Sequence, residues 1–405
     1  MKKKSLYFLY IVLLYLSIHN FPIYGVGSKG IIYVFTLLLL ILNYKEYVAV
    51  LKKIKAEAWI FLLILLYVIL RTLSGGDSAL LSKHIVAMLD MLFTPITLFL
   101  ISLKIGIKEE NRYVRALLIL GSIASVISLI CFINPSVQAF IKYSILNLQP
   151  EDRLYWYNYR GFGLSASLTS NYAYVQGSLL VLGCFYFRDN KWIILFLPLI
   201  FFSALFNART GVIIVFVGLL FYFMLNKKLE YSISFGILGV LLFFSLENIL
   251  RGLGASNDTI RWMFIAFNDF NDVVQNQDLM ESNTGSILFG RMWVLPNTDM
   301  EWLFGKGYSL YRHQIDDTSD VGWILQLNYG GIIYMMVLYL LVVYMFYRLI
   351  KIKRYFFSMF FLSIFLIVNT KSSFLPTCDT FRLLMMIYIY YIIYDSQKQK
   401  SKISI

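Results

Sequence analysis

The chain has 405 residues, 59% of them hydrophobic and only 15% charged, with a mean hydropathy of +0.69, a balance outside the soluble globular range. A formal charge of +13 would suit a nucleic-acid partner, but the Lys and Arg lie mostly between apolar runs rather than in one patch or tail, which excludes that class. Cys131, Cys184 and Cys378 fall within or at the ends of apolar segments and read as small core residues, not as a disulfide framework.

The N-terminus, Met1-Lys2-Lys3-Lys4 followed by an apolar stretch, resembles the start of a signal peptide, but no small-residue cleavage site precedes the next span, so it reads as a retained first helix. Apolar windows then fall near 5–19, 29–43, 57–73, 83–103, 113–133, 168–187, 191–206, 210–225, 231–248, 322–347, 355–370 and 380–395. Each predicts a transmembrane helix, although several are shorter than the ~20 residues of an ideal span. The expectation is an all-α polytopic integral membrane protein of about twelve transmembrane helices, with residues 1–405 forming a single membrane domain. No internal repeat or soluble domain is visible.

The connections alternate in charge. With the N-terminus placed in the cytoplasm, every short loop on that side is basic, including 44–56, 104–115, Lys227-Lys228 and Arg348 to Arg354, and most of the 36 Lys and Arg lie there. The positive-inside rule therefore places both termini in the cytoplasm. Two loops on the opposite side are long, roughly 134–167 and 249–321, against a usual connection of ~4–6 residues. Both carry aromatics, among them Tyr155, Trp156, Trp262 and Trp302, so neither has the composition of a disordered linker. Within the larger, Met263, Ala266, Phe267, Phe270 and Val274 recur at helical spacing and predict an amphipathic helix on the membrane surface or over a cavity.

Seven arginines stand outside, where the charge rule disfavours them: Arg153, Arg160, Arg209, Arg251, Arg261, Arg291 and Arg312. Arginine suits bidentate, desolvated contact with phosphate, so the set points to a lipid-linked diphosphate; for any one of them, a helix cap or a headgroup contact is the simpler account. Arg209 sits in a very short turn, Asn207-Ala208-Arg209-Thr210-Gly211, close to the hydrocarbon. Asp90, among Met88, Leu89, Met91 and Leu92 in the fourth span, requires a partner or a proton, and pairing with one of the arginines or a proton relay are the two readings. Asn171 and Gln176 in the sixth span, and Lys371, Asp379 and Arg382 near the last outside turn, read as structural polar contacts by default. His19, His84 and His313 are scattered without ligand spacing, so no metal is expected. Phe304-Gly305-Lys306-Gly307-Tyr308 resembles a phosphate-binding turn, and Asp320, just before the tenth span, is either a helix N-cap or a carboxylate able to act as a general base.

Three stretches together resemble one family. Arg160-Gly161-Phe162-Gly163 running through Ser170-Asn171 into a span resembles the Arg-x-x-Gly and Pro-Asn-x-x-Ala pattern of the O-antigen ligase and polymerase superfamily. Asn207-Ala208-Arg209-Thr210-Gly211 resembles its Ser-Arg-Thr-Gly turn. Gly290-Arg291-Met292-Trp293, Leu303-Phe304-Gly305-Lys306-Gly307, Asp320-Val321-Gly322-Trp323 and Gly330-Gly331-Ile332-Ile333 resemble its large-loop pattern in order and spacing. Ser170 replaces the ligases' Pro, and Asp320 stands where ligases carry a His, which is more similar to the polymerases.

The resemblance implies a membrane glycosyltransferase of the GT-C kind in the bacterial inner membrane, with its active site and large loop periplasmic. Its substrate would be an undecaprenyl-diphosphate-linked oligosaccharide, polymerised into O-antigen without metal, cofactor or nucleotide sugar. Asp320, Arg291 and Arg209 would be catalytic, and Arg160, Arg153, Lys306, Arg312 and Asn171 would contact substrate. Membrane lipids and a polysaccharide chain-length regulator are the further partners it implies, and nucleic acid is not one. The alternatives are an O-antigen ligase acting on lipid A core and a lipid-linked oligosaccharide flippase.

Overall fold

The computed structural model describes residues 2–20, 22–23, 26–107, 109–146, 163–165, 170–187, 189–225, 286–308, 318–376 and 378–403, with 248, 251, 252 and 310 besides. In chain order the helices are α1 (Lys2–His19), α2 (Ser28–Leu42), α3 (Tyr44–Lys53), α4 (Lys55–Leu73), α5 (Ser78–Met88), α6 (Thr94–Lys104), α7 (Glu110–Ile133), α8 (Pro135–Ala139), α9 (Ser170–Phe185), α10 (Leu197–Leu205), α11 (Arg209–Leu225), α12 (Asp299–Phe304), α13 (Gly322–Lys351), α14 (Tyr355–Asn369) and α15 (Asp379–Ile403). Among the described residues the extended structure is one two-residue antiparallel pairing, Pro22–Ile23 with Val26–Gly27.

Every apolar window except 231–248, of which only residue 248 is described, falls on helix where it is described. Among the described residues four runs are long and apolar enough to cross a membrane: Lys55–Leu73, Ser78–Lys104, Glu110–Ile133 and Gly322–Lys351. A fifth is added if α2 and α3, bent by 98° about Asn43, count as one broken span. Others, including Arg209–Leu225 and Tyr355–Asn369, are apolar but shorter. The amphipathic helix expected at 263–274 lies outside the described residues. So does most of the 249–321 loop.

The chain divides into two compact units, Met1–Ile32 with Ile101–Asn268, and Tyr33–Leu100 with Asp269–Ile405. In the first, α9 packs against α7, α10 and α11 through small residues that let the backbones approach. A Cβ on Gly211 would meet the Ala173 carbonyl at 2.6 Å, and one on Gly121 would meet Leu179 at 2.8 Å. Polar side chains add cross-helix bonds in this core: Tyr172 donates to the Ala124 carbonyl at 2.9 Å, and Ser125 reaches both Gln176 (3.3 Å) and Ser203 (3.1 Å).

In the second unit α4 packs against α5 and α13, and α14 also packs on α13. The buried carboxylate of Glu57, near the start of α4, accepts from Arg348 at 2.6 Å and from the Tyr388 hydroxyl. Arg348 also donates to the Lys53 carbonyl at 2.9 Å. Towards the other end of α4 the Tyr67 hydroxyl donates to the Gly330 carbonyl in the first half of α13, so the two helices run antiparallel. Both bonds fall on one oxygen of this buried carboxylate, one from a charged donor and one from a hydroxyl; removing one partner of such a pair costs about 3–5 kcal/mol.

Candidate functional site

The main irregularity of the second unit is a break in α13. Gly331 has φ 66° and ψ −170°, outside helical geometry, inside an otherwise continuous run. Such a break frees the carbonyls on its N-terminal side, and buried carbonyls must find other donors. They find them in two segments. The Lys306 N–H donates to the Asn328 carbonyl, the Gly307 N–H to the Tyr329 carbonyl at 3.1 Å, and the Tyr67 hydroxyl to the Gly330 carbonyl.

The turn after α12 is shaped for this role. Thr298 caps α12 by accepting from the Glu301 N–H, and the Glu301 side chain accepts from the Asn297 N–H at 2.8 Å, fixing the residue ahead of the cap. Gly305 and Gly307 take φ of 74° and 81°, which only glycine adopts without strain. Cβ atoms on Gly305 or Gly331 would collide with the Tyr329 and Leu303 backbones respectively. Arg71, at the end of α4, closes the assembly: its guanidinium donates to the Gly305 carbonyl at 2.7 Å and to Ser74 at 3.2 Å, and lies against Gly307. Asp77 donates its N–H to the Gly307 carbonyl at 2.8 Å while its side chain caps α5.

Beyond the break Tyr334 is held by His84, whose Nε2 lies 2.8 Å from the hydroxyl and whose Nδ1 lies 2.7 Å from the Leu80 carbonyl. A carbonyl only accepts, so Nδ1 carries the hydrogen and, in the neutral ring, Nε2 accepts from Tyr334. His84 is therefore a packing strut between α5 and α13.

The structure draws the large-loop resemblance into one substructure. Met292, Val294, Tyr308 and Trp323 pack on a cluster of Leu310, Val321, Ile324 and Leu325, and Asn328 donates to the Val294 carbonyl at 2.7 Å. Arg291 ends a π-helical turn, Ser286–Arg291, and is exposed. Two expectations change. The 305–307 turn is not a phosphate cradle, because all three of its N–H groups are already spent: that of Gly305 on the Glu301 carbonyl at 2.8 Å, the others on the broken helix. Lys306 can offer a ligand only its side chain. Asp320 is not the N-cap either; α13 starts at Gly322 with Val321 in that position and without a side-chain cap bond. Asp320 is partly buried, two residues ahead of Gly322, which presses on Asn369 and the Ser372 carbonyl.

Asn171 and Arg209 belong to the first unit. They stand near the N-terminal ends of α9 and α11, which the Gly211–Ala173 contact brings side by side, so both occupy the same end of that pair. Arg153, Arg160, Arg261 and Arg312 lie outside the described residues. The start of the 134–167 loop folds into α8, capped by Asn134 with Pro135 in its first turn, and a further turn holding Lys142. Lys142 is buried near Cys131, and burial pushes its ammonium down to about 8.

Asp90 pairs with Arg382, an arginine outside the set of seven. It lies in a π-helical turn, Leu89–Phe93, that joins α5 to α6, and accepts from Arg382 of α15 at 2.7 Å and from the Tyr33 hydroxyl at 2.6 Å. Arg382 also donates to Asp379 at 2.7 Å, and all three charged groups are at most 4% exposed. The requirement for a partner was readable in the sequence, but the partner was not. Arg71 was missed altogether because it falls within the apolar window 57–73; its position in the last turn of a span was the available signal.

No protein-family model matches the chain, and no relative was found among curated proteins.

Proposed function

We propose that the chain is an O-antigen polymerase: a membrane glycosyltransferase of about twelve spans, with both termini cytoplasmic, that joins undecaprenyl-diphosphate-linked repeat units at the periplasmic face of the inner membrane. The observation that supports this reading is that the stretches of the superfamily resemblance lie together: Leu303–Gly307 is hydrogen-bonded to the residues just before Gly330–Gly331, and Met292 and Trp323, from Gly290–Trp293 and Asp320–Trp323, pack on one apolar cluster. Transfer from a lipid diphosphate breaks an anomeric C–O bond and leaves charge on the diphosphate, so fixed cations are the first requirement. Arg291 and Arg209, with Arg160, are the residues assigned to that charge, and Lys306 contributes its ammonium. The acceptor hydroxyl needs a base or an orienting acceptor, the role assigned to Asp320.

A transporter of lipid-linked oligosaccharide is the second reading, favoured by the ionised groups buried within spans, Asp90 with Arg382 and Glu57 with Arg348. The two are separated by the lipopolysaccharide of a strain lacking the protein. A polymerase null leaves lipid A core bearing one repeat unit; complete absence of repeat units from core would favour the flippase or a ligase and overturn the proposal.

A further inference from the structure

We infer that α3 lies in the membrane interface and, with the basic segment after α13, binds the headgroups of acidic phospholipids. The inference does not depend on the enzymatic reading. The segment 44–56, read from sequence as a basic loop, is mostly a helix turned 98° from α2. Just before the bend α2 exposes Leu37, Leu38, Ile41 and Leu42, the surface expected against lipid tails. Directly after it the charged residues begin.

The helix has three faces. Turning about 100° per residue, it places Tyr47, Val50 and Ile54 together, and these are buried, with the Tyr47 hydroxyl bonded to Thr97. Tyr44 and Val48 form a second face and are exposed although apolar, at 57% and 43%. Lys45, Ala49 and Lys52 form a third, also exposed. A helix on a soluble surface needs two faces, one to the core and one to water. A third, exposed and apolar, between them is what an interfacial helix presents to the acyl boundary.

The exposed charge on this surface is mostly basic, with Glu46 the exposed acid of α3. Lys45, Lys52, Lys55, Lys351 and Lys353 are exposed and make no ion pair among the described residues. The Arg348 bond to the Lys53 carbonyl places the end of α13, three residues before Lys351, against the end of α3. Exposed Trp59, Tyr347 and Tyr355 ring the same end of the unit, the side-chain type enriched at headgroup level. Basic groups held there attract acidic headgroups, each contributing roughly a fivefold preference.

The test uses the full chain purified in detergent. Retention of phosphatidylglycerol and phosphatidylcholine, supplied equally, is compared by native mass spectrometry. Separately, nitroxide labels at positions 44, 48, 45 and 52, in a chain whose three cysteines are replaced, are probed in bilayers with oxygen and a water-soluble nickel complex. Expected are preferential retention of phosphatidylglycerol, a loss of roughly 25-fold in that preference in Lys45→Gln/Lys52→Gln, and none in Lys45→Arg/Lys52→Arg. Labels at 44 and 48 should favour oxygen, and those at 45 and 52 the nickel complex. Equal retention of the two lipids by the unaltered chain, an unchanged preference in the Gln variant, or aqueous exposure of all four labels would each overturn the inference.

Discussion

Arg382 and Asp90 meet at 2.7 Å although 292 positions separate them in the chain. Because Arg382 also holds Asp379, it is the common partner of two buried carboxylates. Arg382→Leu should therefore destabilise the protein by at least the roughly 3–5 kcal/mol typical of an orphaned buried charge, whereas Asp90→Asn, which leaves the Arg382–Asp379 pair intact, should cost clearly less. Thermal unfolding of the purified variants orders them, and equal stability of Arg382→Leu and the unaltered chain would remove the triad from the account of the fold.

The break in α13 should tolerate no side chain. Gly331→Ala and Gly305→Ala should each lower stability sharply and abolish function, since both backbones are at positive φ and in contact with other backbone. Gly30→Ala is the control: nothing lies within 4 Å of its Cβ position, so it should be neutral or gain up to about 1 kcal/mol from helix propensity. Protein level and melting temperature of the three variants settle the comparison.

For the proposed chemistry, Arg209→Lys and Arg291→Lys should impair polymer formation nearly as much as the Ala variants, because a diphosphate clamp needs the planar fork while a headgroup anchor needs only charge. Asp320→Asn should abolish polymer while the protein stays folded. Full-length ladders from all three, at normal protein levels, would leave these residues without a catalytic role.

Lys142 gives a pH signature. Its folded pKa, about 8, is below the ordinary lysine value, so the unfolded chain binds the extra proton between about 8 and 10.4 and stability rises with pH across that window. Lys142→Met should flatten this rise and, at pH 7, make the protein more stable. A stability profile of unchanged slope in the variant would show that Lys142 is not the group responsible.

The topology can be tested at two exposed positions. With cysteine placed at Lys52 or Met300 in a cysteine-free chain, an impermeant reagent applied to intact cells should reach position 300 and not 52. The reverse pattern would invert the arrangement.

Much of the helical framework was legible because apolar runs of fixed length report it directly, and the windows at 57–73, 83–103 and 113–133 coincide closely with α4, α5–α6 and α7. The bend at Asn43 was not, since Lys45, Lys52 and Lys53 read equally well as a loop until their angular positions are known. Nor was the break at Gly331: two adjacent glycines in an apolar run permit a kink without requiring one. What imposes it is the 305–307 turn, in which the Lys306 and Gly307 N–H groups reach carbonyls more than twenty positions away. The same bonds explain why Gly305-Lys306-Gly307 reads as an anion site in sequence and is a backbone splint in the fold.

The break also bears on bilayer thickness. As an unbroken helix, the 30 residues of α13 would extend about 45 Å, half as long again as a hydrocarbon core of about 30 Å. Divided at Gly331, the part from Ile332 to Lys351 matches that core on its own. The preceding turns are buried among neighbouring residues, so in the proposed membrane arrangement only the second part would have to match the bilayer, without the tilt or local thickening that a helix of the full length would impose on the surrounding lipid.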